Sequence, residues 1–376
     1  MVSGNRSPIA LVALLLLLAG CSSSRSDSSE MAEAERNTRA ISIEIIEDDA
    51  TGSEDPEVDP LRDAATRIPG EIEQFDVDGL TVILRPTGPM FHTIFARLYV
   101  RGGQGALPSS ISPAVEQMTL DVPRFSGPAG MDRKAFQKEV DRLYIGLGAS
   151  AGRDYSTMSL KSTDENFDRA WELFSGIIMR PSFDPTAMTN IRERAIAGVR
   201  NRRAVPESYA GFLADSIFFT GHPYGRVTEV EDYESINADV LQKYHKNLFV
   251  KDRLFLVVVG NVSREEITAK IRSSFAQLPQ GNYKEPKMPV PENAKGPIFH
   301  FSRPFGRADV PTNYLVVRFL APTPGTDEYF AMERLRAYLG GMLFRRIRIE
   351  RNLSYAPGAS TYDFKQGYGD ITISTA

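Results

Sequence analysis

Apolar and polar residues alternate at Leu80 to Arg85 and again at His92 to Val100, which predicts two strands joined as a hairpin. Gly102-Gly103 and a Pro/Ser loop follow, and a helix is expected to start near Pro113. Helical spacing returns from Asp132 to Leu147, strands follow near Ala149 to Asp154 and Ser156 to Ser162, and a helix runs from Asp164 to Met179. The last carries Phe167, Ala170, Leu173 and Phe174 on one face. Further helices are predicted over Ala187 to Arg203, Glu207 to Phe219 and Ile236 to Leu248. The run Leu254 to Val259, continuously apolar and short, reads as a buried strand, and Ser263-Arg264-Glu265-Glu266 opens a capped helix after it. Helix and strand-pair alternation of this kind is an α+β layer pattern.

A Pro-rich stretch, Pro279 to Pro297, interrupts the periodicity, and the pattern then restarts with strands at Ile298 to Phe301 and Tyr314 to Phe319 and a helix from Glu328. Strands near Ala359 to Tyr362 and Ile371 to Ser374 complete it. The strand pair after Leu147-Gly148 and the one after Leu353-Ser354 occupy matching places, so the fold class expected is two-layer modules of antiparallel sheet packed with helices, repeated. The boundaries read as a leader over 1–20, a tether over 21–73, a first domain over 74–280, a linker over 281–296 and a second domain over 297–376. The second is expected to be incomplete, with apolar sheet surface left uncovered.

The first twenty residues change the picture. Arg6 precedes a ten-residue apolar run, Ile9 to Leu18, too short to span a bilayer, and Ala19-Gly20-Cys21 stands where a cleavage site belongs. Leu18-Ala19-Gly20-Cys21 resembles the lipobox of bacterial lipoproteins, which implies acylation of Cys21, the only cysteine. With Ser22 next, it also implies an outer-membrane lipoprotein facing the periplasm. From Ser22 to Glu73 there are fifteen acidic residues and five arginines, a net charge of −10, which is the composition of a solvated tether. Given Arg6 and a chain total of −4, the remaining body carries +5. Its arginines are scattered among carboxylates with no aromatic-basic interleaving, so nucleic-acid binding is not expected. Four isolated histidines and one cysteine leave little for a zinc centre. His222, in the turn Gly221-His222-Pro223-Tyr224-Gly225, reads as a loop histidine bonding nearby backbone.

That turn, the strand end Val257-Val258-Val259-Gly260-Asn261-Val262, and Leu339-Gly340-Gly341 followed by Arg348-x-Glu350-Arg351-Asn352-Leu353-Ser354-Tyr355 resemble the pitrilysin/insulinase zinc-peptidase superfamily from Phe75 onward. The resemblance implies repeated α+β modules closing like a clamshell. It also implies His-x-x-Glu-His on the first helix of active chains, where histidines at i and i+4 grip zinc and the glutamate takes a proton from its water. Here the matching positions are Pro113, Glu116 and Gln117, and the third ligand falls at Gly198. Proline cannot ligate, and a glutamine amide is a poor substitute for imidazole. Glu193 lies five residues from Gly198, about 140° around a helix, and is expected to be a solvated partner of neighbouring arginines. Glu116 has a sufficient role in the first helical turn, with Ser112 as N-cap and Pro113 at the first helical position.

In the second module, Leu335, Leu339, Leu343 and Ile347 form a stripe that docks the helix, and Asn352 suits a left-handed cap beyond it. Arg348 and Tyr355 match, by resemblance, the arginine and tyrosine with which non-catalytic partner chains hold substrate backbone near the zinc of the other chain. Alternatively, Arg345, Arg346, Arg348 and Arg351 only solvate one helix face.

The expectation is therefore a non-catalytic, substrate-binding subunit of a two-chain metallopeptidase, holding no cofactor itself. Its partners would be a catalytic chain carrying His-x-x-Glu-His and its zinc, an unfolded or extended peptide, and a membrane reached through the lipid anchor. The alternatives are a peptidase-derived binding or assembly lipoprotein with no proteolytic role, and an active metallopeptidase with an irregular site.

Overall fold

A computed structural model describes residues 71–292, 298–301 and 312–375. All of these fall within one unit, Leu61–Ala376. The leader, Cys21, most of the acidic stretch and part of the proposed linker lie outside the described residues.

The larger sheet is built from β1 (Glu73–Val77), β2 (Leu80–Pro86), β3 (Thr93–Arg101), β4 (Gly146–Ala151), β5 (Tyr155–Thr163) and β6 (Leu254–Gly260), in the order β1-β2-β6-β3-β5-β4. Every neighbouring pair is antiparallel except β2 with β6. This corrects the expected hairpin of Leu80–Arg85 with His92–Val100. The hairpin is β1–β2, turned at Asp78-Gly79, and β6 inserts between β2 and β3. The insertion follows from the apolar continuity of Leu254–Val259. A strand buried on one face and half-covered on the other belongs at the centre of a sheet, so it displaces the sequence neighbour.

Period-two alternation puts Val82, Leu84, Ala96, Leu98, Leu160 and Leu256 on one face, where all are almost wholly buried. The helices are α1 (Pro113–Ser126), α2 (Arg133–Arg142), α3 (Phe167–Met179), α4 (Pro185–Ala204), α5 (Pro206–Phe218), α6 (Val230–Glu234), α7 (Ala238–Leu248) and α8 (Arg264–Arg272); all but α5 pack on that face, while Phe218 of α5 joins a separate cluster with Phe219, Tyr224 and Tyr368. Burying each such leucine or phenylalanine contributes about 1.5–3 kcal/mol. Helix α1 lies deepest, packed against α7, α4 and β4. It ends at Gly127, φ 84°, where a Cβ would come within 2.7 Å of the Phe136 ring, so only glycine fits. The helix expected over Asp132–Leu147 stops at Arg142, because the chain enters β4 at Gly146.

The smaller sheet is antiparallel, with β9 (Tyr368–Thr375) between β7 (Asn313–Leu320) and β8 (Gly358–Tyr362). Helix α9 (Asp327–Leu343) packs beside β8 and runs on through a π-helical turn, Phe344–Ile349. The strand expected at Ile298–Phe301 is not formed; these residues are exposed, without ladder partners among the described residues. Of the docking stripe, Leu343 is buried, while Leu335, Leu339 and Ile347 are half-buried. Leu315, Phe330 and Tyr338 are exposed.

The two sheets meet at a buried aromatic joint. Arg153, in the β4–β5 bend, lies 4.9–5.4 Å from the ring centroids of Phe219, Tyr224, Phe364 and Tyr368. Its guanidinium donates to Asp215 at 3.0 Å and to the Tyr368 hydroxyl at 2.5 Å. Asp215 also accepts from Arg318 of β7, which in turn reaches Asp370 of β9. Cations enclosed by rings gain attraction from the ring faces, and a carboxylate shared by two guanidiniums leaves neither charge buried unpaired.

Candidate functional site

The geometry of α1 decides what Glu116 can do. Ser112 caps the helix by accepting from the Ala114 amide at 3.2 Å, and Pro113 occupies the first turn, where its missing N–H costs nothing. One turn on, Glu116 is fully buried. Its carboxyl group accepts from the Ser156 hydroxyl of β5 and from the Tyr244 hydroxyl of α7 at 2.5 Å. Tyr244 is held protonated first by burial and then by Glu116; Arg253 nearby opposes this. Arg253 is itself buried and donates to the Arg101 carbonyl at 2.7 Å. Glu116 therefore does more than complement the helix dipole. It is the acceptor that joins α1, α7 and the sheet, and the sequence pattern did not reveal this.

Its neighbour Gln117 is equally engaged. The amide donates to Asp121, and its oxygen accepts from the Ala151 amide at 3.3 Å, fastening the end of β4 to the helix. Gly198 lies exposed on α4 with open space where a side chain would be, and Glu193 is exposed without a described ion pair. A zinc ion does not fit this donor set. Pro113 and Gly198 offer no side-chain donor, Gln117 is occupied, and both Glu116 oxygens are already satisfied. Among the described residues, no group of three histidine, cysteine or acidic side chains could hold a metal ion.

His222 is buried and fixed on both nitrogens: Nδ1 accepts from the Tyr224 amide at 3.0 Å, and Nε2 faces the Pro289 carbonyl at 2.9 Å. The first bond places the proton on Nε2, and burial lowers the pKa of the ring. Tyr224 donates to the buried Asp154, which also accepts from the Lys365 amide at 2.7 Å. The Gly-His-Pro-Tyr-Gly turn thus belongs to the joint between the sheets.

Arg348 and Tyr355 do come together. The guanidinium lies 4.7 Å from the phenol ring centroid and donates to Asn352 Oδ1 at 2.8 Å. Asn352 adopts φ 50°, and the Leu353 amide closes back on the Ile347 carbonyl at 2.9 Å, so the helix end presents Tyr355 outward, 79% exposed. Arg345 and Arg346 instead pair with Glu350. Arg348 thus stands apart from the arginines that only solvate the helix.

A family model described as "Peptidase M16 inactive domain" matches residues 235–376. Over that stretch the chain is similar to this domain. An uncharacterized zinc protease of Mycobacterium leprae, ML0855, is 22% identical over 225 residues, covering 58% of this chain and 50% of that protein. Another from Bacillus subtilis, YmxG, is 20% identical over 257 residues, covering 67% and 60%. A solved peptidase M16 inactive domain from Pseudomonas fluorescens shares the fold at TM-score 0.70 and 20% identity, covering 81% of this chain and 74% of its own. The chain spans about half to three-fifths of the length of these curated relatives. Residues 235–376 thus resemble an M16 inactive domain, and the chain shares the fold of solved M16 structures.

Proposed function

We propose that this insulinase-like chain is the substrate-holding, non-catalytic subunit of a two-chain peptidase. The observation that carries the reading is the fate of Glu116: the residue standing where the family keeps its general base is sealed in the core by Ser156 and Tyr244. A base must reach solvent or substrate to move a proton, and this one reaches neither. Arg348, half-buried, and Tyr355, exposed, form a guanidinium-phenol pair suited to donate hydrogen bonds to a peptide carbonyl. Strand β4 is an edge of the larger sheet, but Arg124 and Gln117 of α1 hold its Leu147 carbonyl and Ala151 amide, so the peptide-holding reading rests on Arg348 and Tyr355. The zinc then belongs to the partner, a chain with intact His-x-x-Glu-His, and Cys21 is the proposed point of attachment to the outer membrane.

The test is reconstitution. Peptide hydrolysis by a catalytic chain carrying His-x-x-Glu-His from the same cell should rise at least about tenfold when this chain is added. The rise should be lost with Arg348→Ala and Tyr355→Phe, a half-buried and an exposed position outside the core, where substitution leaves the chain folded. A mixture that cleaves no faster than the catalytic chain alone refutes the proposal.

A further inference from the structure

Helices cover one face of the larger sheet; among the described residues the other is left partly open, with Tyr99, Arg101 and Phe255 half-buried. Phe95 on this face is 49% exposed, and Arg97 and Lys161 beside it are exposed too. Tyr99 of β3 stacks on Phe255 of β6 with centroids 4.6 Å apart. Arg97 lies 5.9 Å from the Tyr99 ring, Arg101 5.6 Å from Phe255, and Lys161 5.5 Å from Phe95. None of these three cations has a carboxylate partner among the described residues, in a chain where many arginines are ion-paired. A row of half-exposed rings carrying unpaired cations is an unusual surface for a protein to leave to water.

We propose that this face binds an acidic polypeptide segment in extended conformation, with aromatic or apolar residues between its carboxylates. Positions 97, 99 and 101 share one side of β3, so the two guanidiniums are rooted about 13 Å apart with a ring between them. Carboxylates four residues apart on an extended chain have the same separation, and the residue between them meets the Tyr99–Phe255 stack. Nucleic acid fits less well, because three cations match only sparsely the dense phosphate charge of a strand. The inference rests on the reading of the chain as a peptide-holding subunit and adds to it the charge of the peptide held.

The experiment uses the full chain alone, so its result is separate from reconstitution with a catalytic partner. Fluorescence anisotropy would follow a labelled peptide of about twelve residues with glutamate at every fourth position and tyrosine midway between, beside a lysine counterpart. The acidic peptide should bind at least about tenfold tighter at low salt, and lose affinity as salt is raised. The combined variant Arg97→Glu, Arg101→Glu, Lys161→Glu should weaken it by about thirtyfold or more and reverse the preference. Arg97→Gln with Lys161→Gln, milder for folding, should weaken it by about three- to tenfold. Equal binding of the two peptides, undiminished binding by a folded variant, or displacement by a single-stranded oligonucleotide at equal charge concentration would each overturn the proposal.

Discussion

Replacing Glu116 by alanine separates a structural carboxyl group from one kept for chemistry. In the folded chain the group accepts from Ser156 and Tyr244, with no exposure to water. Its removal leaves two buried hydroxyls without an acceptor, at about 1–3 kcal/mol each, and opens a cavity that collapses only in part. The better helix propensity of alanine returns only a few tenths of a kcal/mol. The expected loss is about 3–5 kcal/mol, a large share of the stability of a typical domain. Urea unfolding can be followed by the fluorescence of Trp171, the only tryptophan, buried against Phe167, Phe174 and Phe275. The midpoint should fall with little change in slope. Ser156→Ala and Tyr244→Phe should each cost about 1–2 kcal/mol and be strongly non-additive with Glu116→Ala, because the three share one network. A loss below about 1 kcal/mol, or a gain, would refute the reasoning, since active-site groups removed from a fold often stabilise it.

Burial among Phe183 and Phe249 lowers the pKa of His245 from 6.5 to about 4. The unfolded chain therefore binds the proton first as pH falls below about 6.5, and stability drops by about 3 kcal/mol by pH 4; His245→Phe should flatten that part of a pH series of urea midpoints. Arg153→Ala should cost about 2–4 kcal/mol by leaving the Asp215 charge short of a partner and the four-ring cage empty, and limited proteolysis should cut faster between residues 279 and 292. Gly127→Ala should cost about 2 kcal/mol or more in the same unfolding assay, from positive φ and from contact with Phe136. Tyr355→Ala should change stability by less than about 0.5 kcal/mol, since the ring is exposed.

Local chemistry was legible in the chain itself. Ser112 and Ser263 announce their helices because a cap needs only residues within one turn, and both cap as expected. The seam of repeated strand pairs was legible for the same reason, since alternation tells which face of a strand turns inward. Alternation does not tell which strand lies beside which. The insertion of β6 between β2 and β3 joins residues more than 150 positions apart, and only the packing of one apolar face settles it. The candidate site divides in the same way. That Pro113, Gln117 and Gly198 lack zinc-ligand chemistry follows from residue type alone. That Glu116 is committed to Ser156, 40 positions away, and Tyr244, 128 away, depends on the closure of α7 and β5 around α1, because a buried carboxyl group takes whichever donors the fold brings to it.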